Sequence, residues 1–280
     1  MNILNILGEI EQHDPEVYAR LDTRRAAMRQ FANLGKKLTA AAVPVALGSM
    51  FQKAYGQTSS VLDVLNFALL LEYLEAEFYA IGLRQAPIPN GSSREAIGII
   101  ADHEAKHVKF LQTAISAAGG TPISKPKFDL SGGSGSGNGP FKNAFNDYGF
   151  FLAVAQTLED TGVRAYKGQA PNLLGTGDVL TAALNIHSVE ARHASHIRKM
   201  RRELLNMPSL KPWISGLEAG LGSANGLVYG NYVGEENTKQ AGIEITNINN
   251  FPVTPNGASE SFDEPLTRDQ VVAVVKGFLS

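Results

Sequence analysis

The sequence predicts an all-α fold: four long helices arranged as two hairpins, joined by one long crossover and followed by a mostly irregular C-terminal extension. Three observations predict it. Four stretches between residues 60 and 206 carry helical apolar periodicity and stop at turn signals. The links between them run short, long, short, which suits two antiparallel pairs connected by a single crossover. Finally, both pairs carry the same series of Glu, Tyr and Glu-x-x-His at nearly the same separations.

The first helix is expected over about 60–84. Ser60 stands as its N-cap with Asp63 three residues on, and Leu62, Leu65, Leu69 and Leu70 supply the apolar period. A Pro/Gly/Asn turn follows at 85–92. The second helix is expected over about 93–118, stopped by Gly119-Gly120. The link 121–140 contains SGGSGSGNGP, a composition that reads as a flexible crossover. The third helix is expected over about 142–168. After a turn at 169–177 the fourth runs over about 178–206, with Asp178 as a candidate cap. The bundle thus occupies 58–206. The extension, 207–280, holds Trp213, read as a packing anchor, and a strand-like GIEITNI at 242–248. Its last helix starts near Thr267, which forms a capping box with Gln270.

Residues 1–57 read as a leader. Thr23-Arg24-Arg25-Ala26-Ala27-Met28-Arg29 resembles a twin-arginine export signal, with Ala27 where that pattern has Phe. A mildly apolar run from Leu38 to Phe51 is too short for a bilayer but suits the middle of a signal peptide. This leads to an expectation of export, periplasmic or extracellular, without a stable membrane span. The rival reading is an N-terminal amphipathic helix and a second helix broken at Pro44, in a protein that stays in the cytoplasm.

Hydrophobic residues make up 44% and charged residues 19% of the 280, an ordinary globular composition. A formal charge of −2 offers no positive field for nucleic acid, so no such partner is expected. With no cysteine there is no disulfide, thiolate metal site or thiol nucleophile, and metal chemistry falls to His, Asp and Glu. Nothing in the sequence sets the oligomeric state; a dimer is compatible with it.

His103-Glu104-Ala105-Lys106-His107 has the two-histidine spacing of a helical zinc-protease motif. The internal repeat argues otherwise. Glu104-Ala105-Lys106-His107 on the second helix matches Glu190-Ala191-Arg192-His193 on the fourth. Glu72 and Tyr79 on the first match Glu159 and Tyr166 on the third, seven residues apart in each case. Glu72 to Glu104 spans 32 residues and Glu159 to Glu190 spans 31. His103 has no mate, since Val189 stands in its place. What the pairs share is Glu, Glu and His, twice. Residues i and i+3 share a helix face, so each Glu-x-x-His turns both groups to one side. Four carboxylates would balance two divalent ions, whereas without metal some of them would have to hold protons. Glu75 rivals Glu72, but the repeat favours Glu72, because Glu75 aligns with Gly162.

The stretches VLNFALLLEYLEAEFY (64–79), DHEAKH (102–107), TLEDTGVRAY (157–166) and VEARH (189–193) resemble the ferritin-like superfamily, and within it bacterial ferritin-like domain proteins related to plant desiccation-related proteins. The resemblance covers about 58–206. It implies a ferritin-like four-helix bundle with a dinuclear centre in its middle. Glu104 and Glu190 would bridge the ions, Glu72 and Glu159 would each be terminal on one, and His107 and His193 would each complete one. Tyr79, Tyr166, His103 and His187 are candidates for the surrounding hydrogen bonds. Two iron ions are the expected cofactor, with two manganese ions as the alternative. The expected partners are then metal ions with O2 or peroxide. The expected activity is oxidation of ferrous iron by O2, or reduction of peroxide, in oxidative-stress protection. The rival readings are a di-manganese catalase and a non-catalytic protein that a metal stabilises.

Overall fold

The structure is a computed structural model, which describes residues 58–220 and 228–280. The leader reading, with Arg24, Arg25 and Pro44, lies outside the described residues. Four long helices dominate: α1 (Thr58–Gln85), α2 (Ser92–Ala117), α3 (Tyr148–Gln169) and α4 (Asp178–Leu204). α1 packs along α2 and α3 along α4, and the two pairs meet chiefly through α1 and α3. The fold is the all-α arrangement the sequence predicts. No described helix is long and apolar enough to cross a membrane.

The ends of the helices differ slightly from expectation. α1 already begins at Thr58, so Ser60 lies inside it. α3 starts at Tyr148, where the Asp147 side chain accepts from the Phe150 amide. Asp178 is the first residue of α4 and not its cap; Gly177, at φ 57°, precedes it.

α3 is buried almost from end to end, from Phe151 through Tyr166. This is unusual for a helix with Gln, Thr, Glu, Asp and Arg in its middle. The reason is that it is covered on both sides, by the bundle and by the C-terminal extension. That extension contains α5 (Tyr229–Tyr232), a two-residue hairpin of β1 (Lys239–Gln240) and β2 (Ile243–Glu244), α6 (Pro255–Ser259) and α7 (Arg268–Val275). The expected strand over 242–248 thus shrinks to Ile243–Glu244. Trp213 is half exposed and is not a packing anchor. The Thr267–Gln270 capping box is present at the start of α7.

Buried arginines on α3 and α4 hold the extension in place. Arg164 donates to the carbonyls of Asn231 (2.5 Å), Val233 (2.6 Å) and Glu264 (2.8 Å) and pairs with Glu235 at 2.7 Å. Arg198 donates to both oxygens of Asp160, one of which also accepts from Tyr232. Asp160, an acid in the middle of α3, is therefore buried and fully engaged. At Gly168, an added Cβ would sit 1.9 Å from the Leu266 carbonyl oxygen, so only glycine lets the extension lie this close to α3.

The crossover also departs from expectation. It is a built loop rather than a featureless linker. Asp129 accepts from the Ser131 amide and hydroxyl through one oxygen and from the amides of Gly135 and Gly137 through the other. Gly135 and Gly137 have φ of 89° and 67°, which lets the chain curl around that carboxylate. Phe128 and Leu130 are buried, and Phe128 bridges to Leu279 at the C-terminus. Composition hid this because one carboxylate, not an apolar core, organises the turn.

Candidate metal centre

The middle of the bundle collects the repeated residues. Glu72, Glu104, Glu159 and Glu190 have no exposed surface, and His193 is buried. They fall into two groups whose ligand atoms lie within 4.8 Å of one another: Glu72, Glu104, His107 and Glu190, and Glu104, Glu159, Glu190 and His193. Glu104 and Glu190 belong to both. The structure thus brings all six sequence-selected residues together, two of them shared between two sites.

The geometry within the cluster is that of atoms converging on common points. His107 Nδ1 lies 3.2 Å from Glu72 Oε2, 3.2 Å from Glu104 Oε2 and 3.4 Å from Glu190 Oε1. His193 Nδ1 lies 2.8 Å from Glu104 Oε1 and 3.2 Å from Glu159 Oε2. The two oxygens of Glu104 therefore face different groups. Despite these ion-pair distances, His193 Nδ1, Glu104 Oε1, Glu159 Oε2 and both Glu190 oxygens form no hydrogen bond of normal geometry. Buried polar atoms are normally satisfied, and leaving them bare is costly. Donor atoms bound at about 2.1 Å to one cation, at right angles, would lie about 3 Å apart. The donor set is therefore a fit for metal ions, and carboxylate with imidazole suits iron or manganese.

Two tyrosines cross between the hairpins. Tyr79 on α1 donates to Glu159 Oε1 on α3, and Tyr166 on α3 donates to Glu72 Oε1 on α1, each at 2.5 Å. Each bond occupies the outer oxygen of a glutamate and leaves its Oε2 facing a histidine. Helical spacing explains the reach, because a residue seven after a glutamate lies two turns along the same stripe.

Crowding shifts the acids apart. Burial pushes Glu72 up to about 8. Burial, with the neighbouring carboxylates, also raises Glu190 and Glu75 well above the usual range. Burial works in the same direction on Glu104, but His107 and His193 outweigh it and hold that carboxyl at about 2. Burial opposes charge on His107 and His193, yet the surrounding glutamates win and lift them to about 12 and about 11. Without metal, the cluster is a proton-rich ion network.

His103 is no part of either group. Its Nδ1 lies 3.0 Å from His193 Nε2, the nitrogen that points away from the carboxylates. The zinc-protease pairing of His103 with His107 is thus not formed: His103 steadies His193 from behind. Val189 gives His107 no equivalent, so the two halves differ. His103→Ala is expected to loosen an ion at His193 by about tenfold while two ions still bind, as for other partners of metal-bound imidazoles. Titration of metal into the purified variant checks this. His187, another sequence candidate, lies 3.0 Å from the Val163 carbonyl and takes no part in the cluster.

The sequence reading weighs Glu75 as a rival to Glu72 and sets it aside because it aligns with Gly162. It is 4% exposed, sits outside both groups and makes no hydrogen bond or ion pair among the described residues. The clue was its alignment with Gly162. A Cβ at Gly162 would lie 2.8 Å from Glu190 Oε2 and 3.2 Å from Glu75 Oε1. A bare glycine on α3 thus makes room for an extra carboxylate on α1.

No curated protein matches this sequence. The family model for the ferritin-like domain matches residues 60–203, slightly more than half of the chain and the whole span that carries the cluster. With four long helices and a buried carboxylate–histidine group that can hold metal, the chain belongs to the ferritin-like domain family.

Proposed function

We propose that the cluster holds two iron ions and serves to oxidise ferrous iron with O2 or to reduce peroxide. In this reading Glu72 and His107 would hold one ion, Glu159 and His193 the other, and Glu104 and Glu190 would be available to both. The observation that carries it is the set of buried donor atoms on Glu104, Glu159, Glu190 and His193 that converge within 4.8 Å yet form no hydrogen bond of normal geometry. Four carboxylates match the charge of two divalent ions, so the loaded core is close to neutral. The chemistry supplied by two bound irons is transfer of electrons to O2 or peroxide. The protein's part is position, charge and dryness: Tyr79 and Tyr166 fix the terminal glutamates, and the apolar faces of α1 and α3 keep bulk water away. The proposal includes a protective role against oxidative damage in an exported protein of the desiccation-related branch, supported by the motifs at 64–79 and 102–107 and by the twin-arginine-like leader.

The test is to purify the protein, measure bound metal, and follow absorbance as ferrous iron and then air or peroxide are added. About two irons per chain and a new near-ultraviolet band support the reading. Manganese with gas released from peroxide would instead identify a catalase. A metal that exchanges slowly and does not cycle with peroxide would leave only a structural role.

The acid shifts add a pH signature. Near neutral pH the metal-free cluster carries protons on Glu72, His107 and His193 that metal must displace. Affinity is expected to rise with pH through about 8 and to go on rising above it, with net release of protons on loading, measurable by calorimetry in buffers of different ionisation heat. The metal-free fold behaves in the opposite sense. Glu72 is raised, so its contribution to stability is full below about 4.5 and is lost as pH rises through about 8.

A further inference from the structure

Between α3 and the C-terminal extension lies a cavity of about 330 Å³. Thr157, Leu158 and Thr161 of α3 form one wall; Asn231, Val275 and Phe278 of the extension form the other. Leu158, Thr161 and Val275 also line a second, smaller cavity of about 10 Å³, whose inner wall is Glu75 and Gly162. The two spaces have these three side chains as a common boundary. The inner one ends at the carboxylate beside Glu190, where a Cβ at Gly162 would crowd both groups. Only these three side chains separate the space beneath α7 from the one that touches Glu75 and Gly162.

We propose that this larger cavity is an access chamber which binds a small uncharged organic molecule, while only species of water or diatomic size pass inward from it to the centre by Val275 and Glu75. The inference rests on the metal-centre reading for its destination. The size fits: small-molecule sites run from about 300 to 1,000 Å³, and a diatomic gas needs far less. The inner space holds about one water-sized molecule, so the throat narrows before the centre. The walls exclude charge. No ionisable side chain lines the chamber. The Thr157 and Thr161 hydroxyls donate to carbonyls of their own helix at 3.0 and 2.7 Å, and the Asn231 side-chain amide donates to Thr161 at 2.7 Å. No strong donor is left for an anion, and the carboxylates at the inner end repel one. An apolar gap of about 20 Å³ at another part of the bundle, reaching Tyr166 between Ala68, Ala183 and Ile186, is the rival route. It ends at a tyrosine already bonded to Glu72.

The experiment has two arms. In the first, phenol and benzoate are titrated into metal-free protein by calorimetry. Phenol is expected to bind and benzoate to bind at least tenfold more weakly. Ala273→Trp, at the exposed rim of the chamber, should abolish phenol binding, and Ala273→Leu, a gentler change, should weaken it. In the second, nitric oxide is mixed with ferrous-loaded protein, and nitrosyl absorbance gives its binding rate. Ala273→Trp should slow it at least tenfold and Val275→Ala should speed it, with iron content unchanged. Equal binding of phenol and benzoate, phenol binding that survives both Ala273 variants, or a nitric oxide rate that falls with Ala183→Phe and not with Ala273→Trp would each overturn the proposal. If the wild-type protein takes up no iron, the reading of the centre fails, and the phenol arm by itself decides the chamber.

Discussion

Glu104→Ala is expected to remove both ions, whereas Glu72→Ala removes one. The difference follows from geometry. Glu104 Oε2 faces His107 and Glu104 Oε1 faces His193, so a single carboxylate serves both groups. Glu72 belongs to one group only. Even a partner outside the ligand set changes metal affinity by about 10- to 100-fold, so loss of a shared ligand should exceed about 100-fold at both sites. Metal analysis after dialysis should find well under one ion per chain in Glu104→Ala and about one in Glu72→Ala. The same asymmetry is expected of Glu190, whose two bare oxygens complete the pair. Near-wild-type stoichiometry in Glu104→Ala would sink the dinuclear reading, because Glu104 is the carboxylate whose two oxygens face the two histidines.

Arg164→Ala is expected to give the largest loss of stability. This side chain has no exposed surface, yet it carries a charge. Three carbonyls of the extension and the Glu235 carboxylate compensate for its burial. Removing it leaves those acceptors without a donor and Glu235 without a counter-charge. Glu235 is already pushed up to about 7, because burial prevails over Arg164, and it would be driven to hold a proton in the variant. Breaking a buried pair from one side costs about 3–5 kcal/mol. In a domain of this size that lowers the melting temperature by about 10 °C. Lysine should rescue little, since one ammonium cannot reach the separate carbonyls that a planar guanidinium spans. Proteolysis should then cut first within the extension while α1–α4 hold. A melting temperature within a degree or two of wild type would show that the extension is not anchored through this residue.

Much of the site was readable before any coordinates. A helix turns side chains to one face every three or four residues, so a glutamate three before a histidine is a statement about direction in space. The matched series at Glu72, Tyr79, Glu104 and His107 and at Glu159, Tyr166, Glu190 and His193 therefore pointed inward from four helices at once. The same rule set His103 aside, since Val189 broke the match. The capping box at Thr267 was legible for a similar reason: it is a contact between residues three apart.

What was not readable came from residues far apart in the chain. Asp160 and Arg164 look like ordinary charges on a helix until the extension covers them. Asp129 looks like one acid in a glycine-rich linker until four donors fold onto it. Glu75 could be read as a rival to Glu72, but not as a fifth buried carboxylate beside it, because what makes room for it is a missing side chain on another helix, at Gly162. Local spacing decides which way a side chain leaves its own helix, and that the sequence carries by itself. Which charges end up dry, which cavity opens toward the centre and which end of the chain roofs it depend on what packs against that helix. Only the tertiary structure decides those, because burial and the loss of water it brings are properties of neighbours that no short window of residues contains.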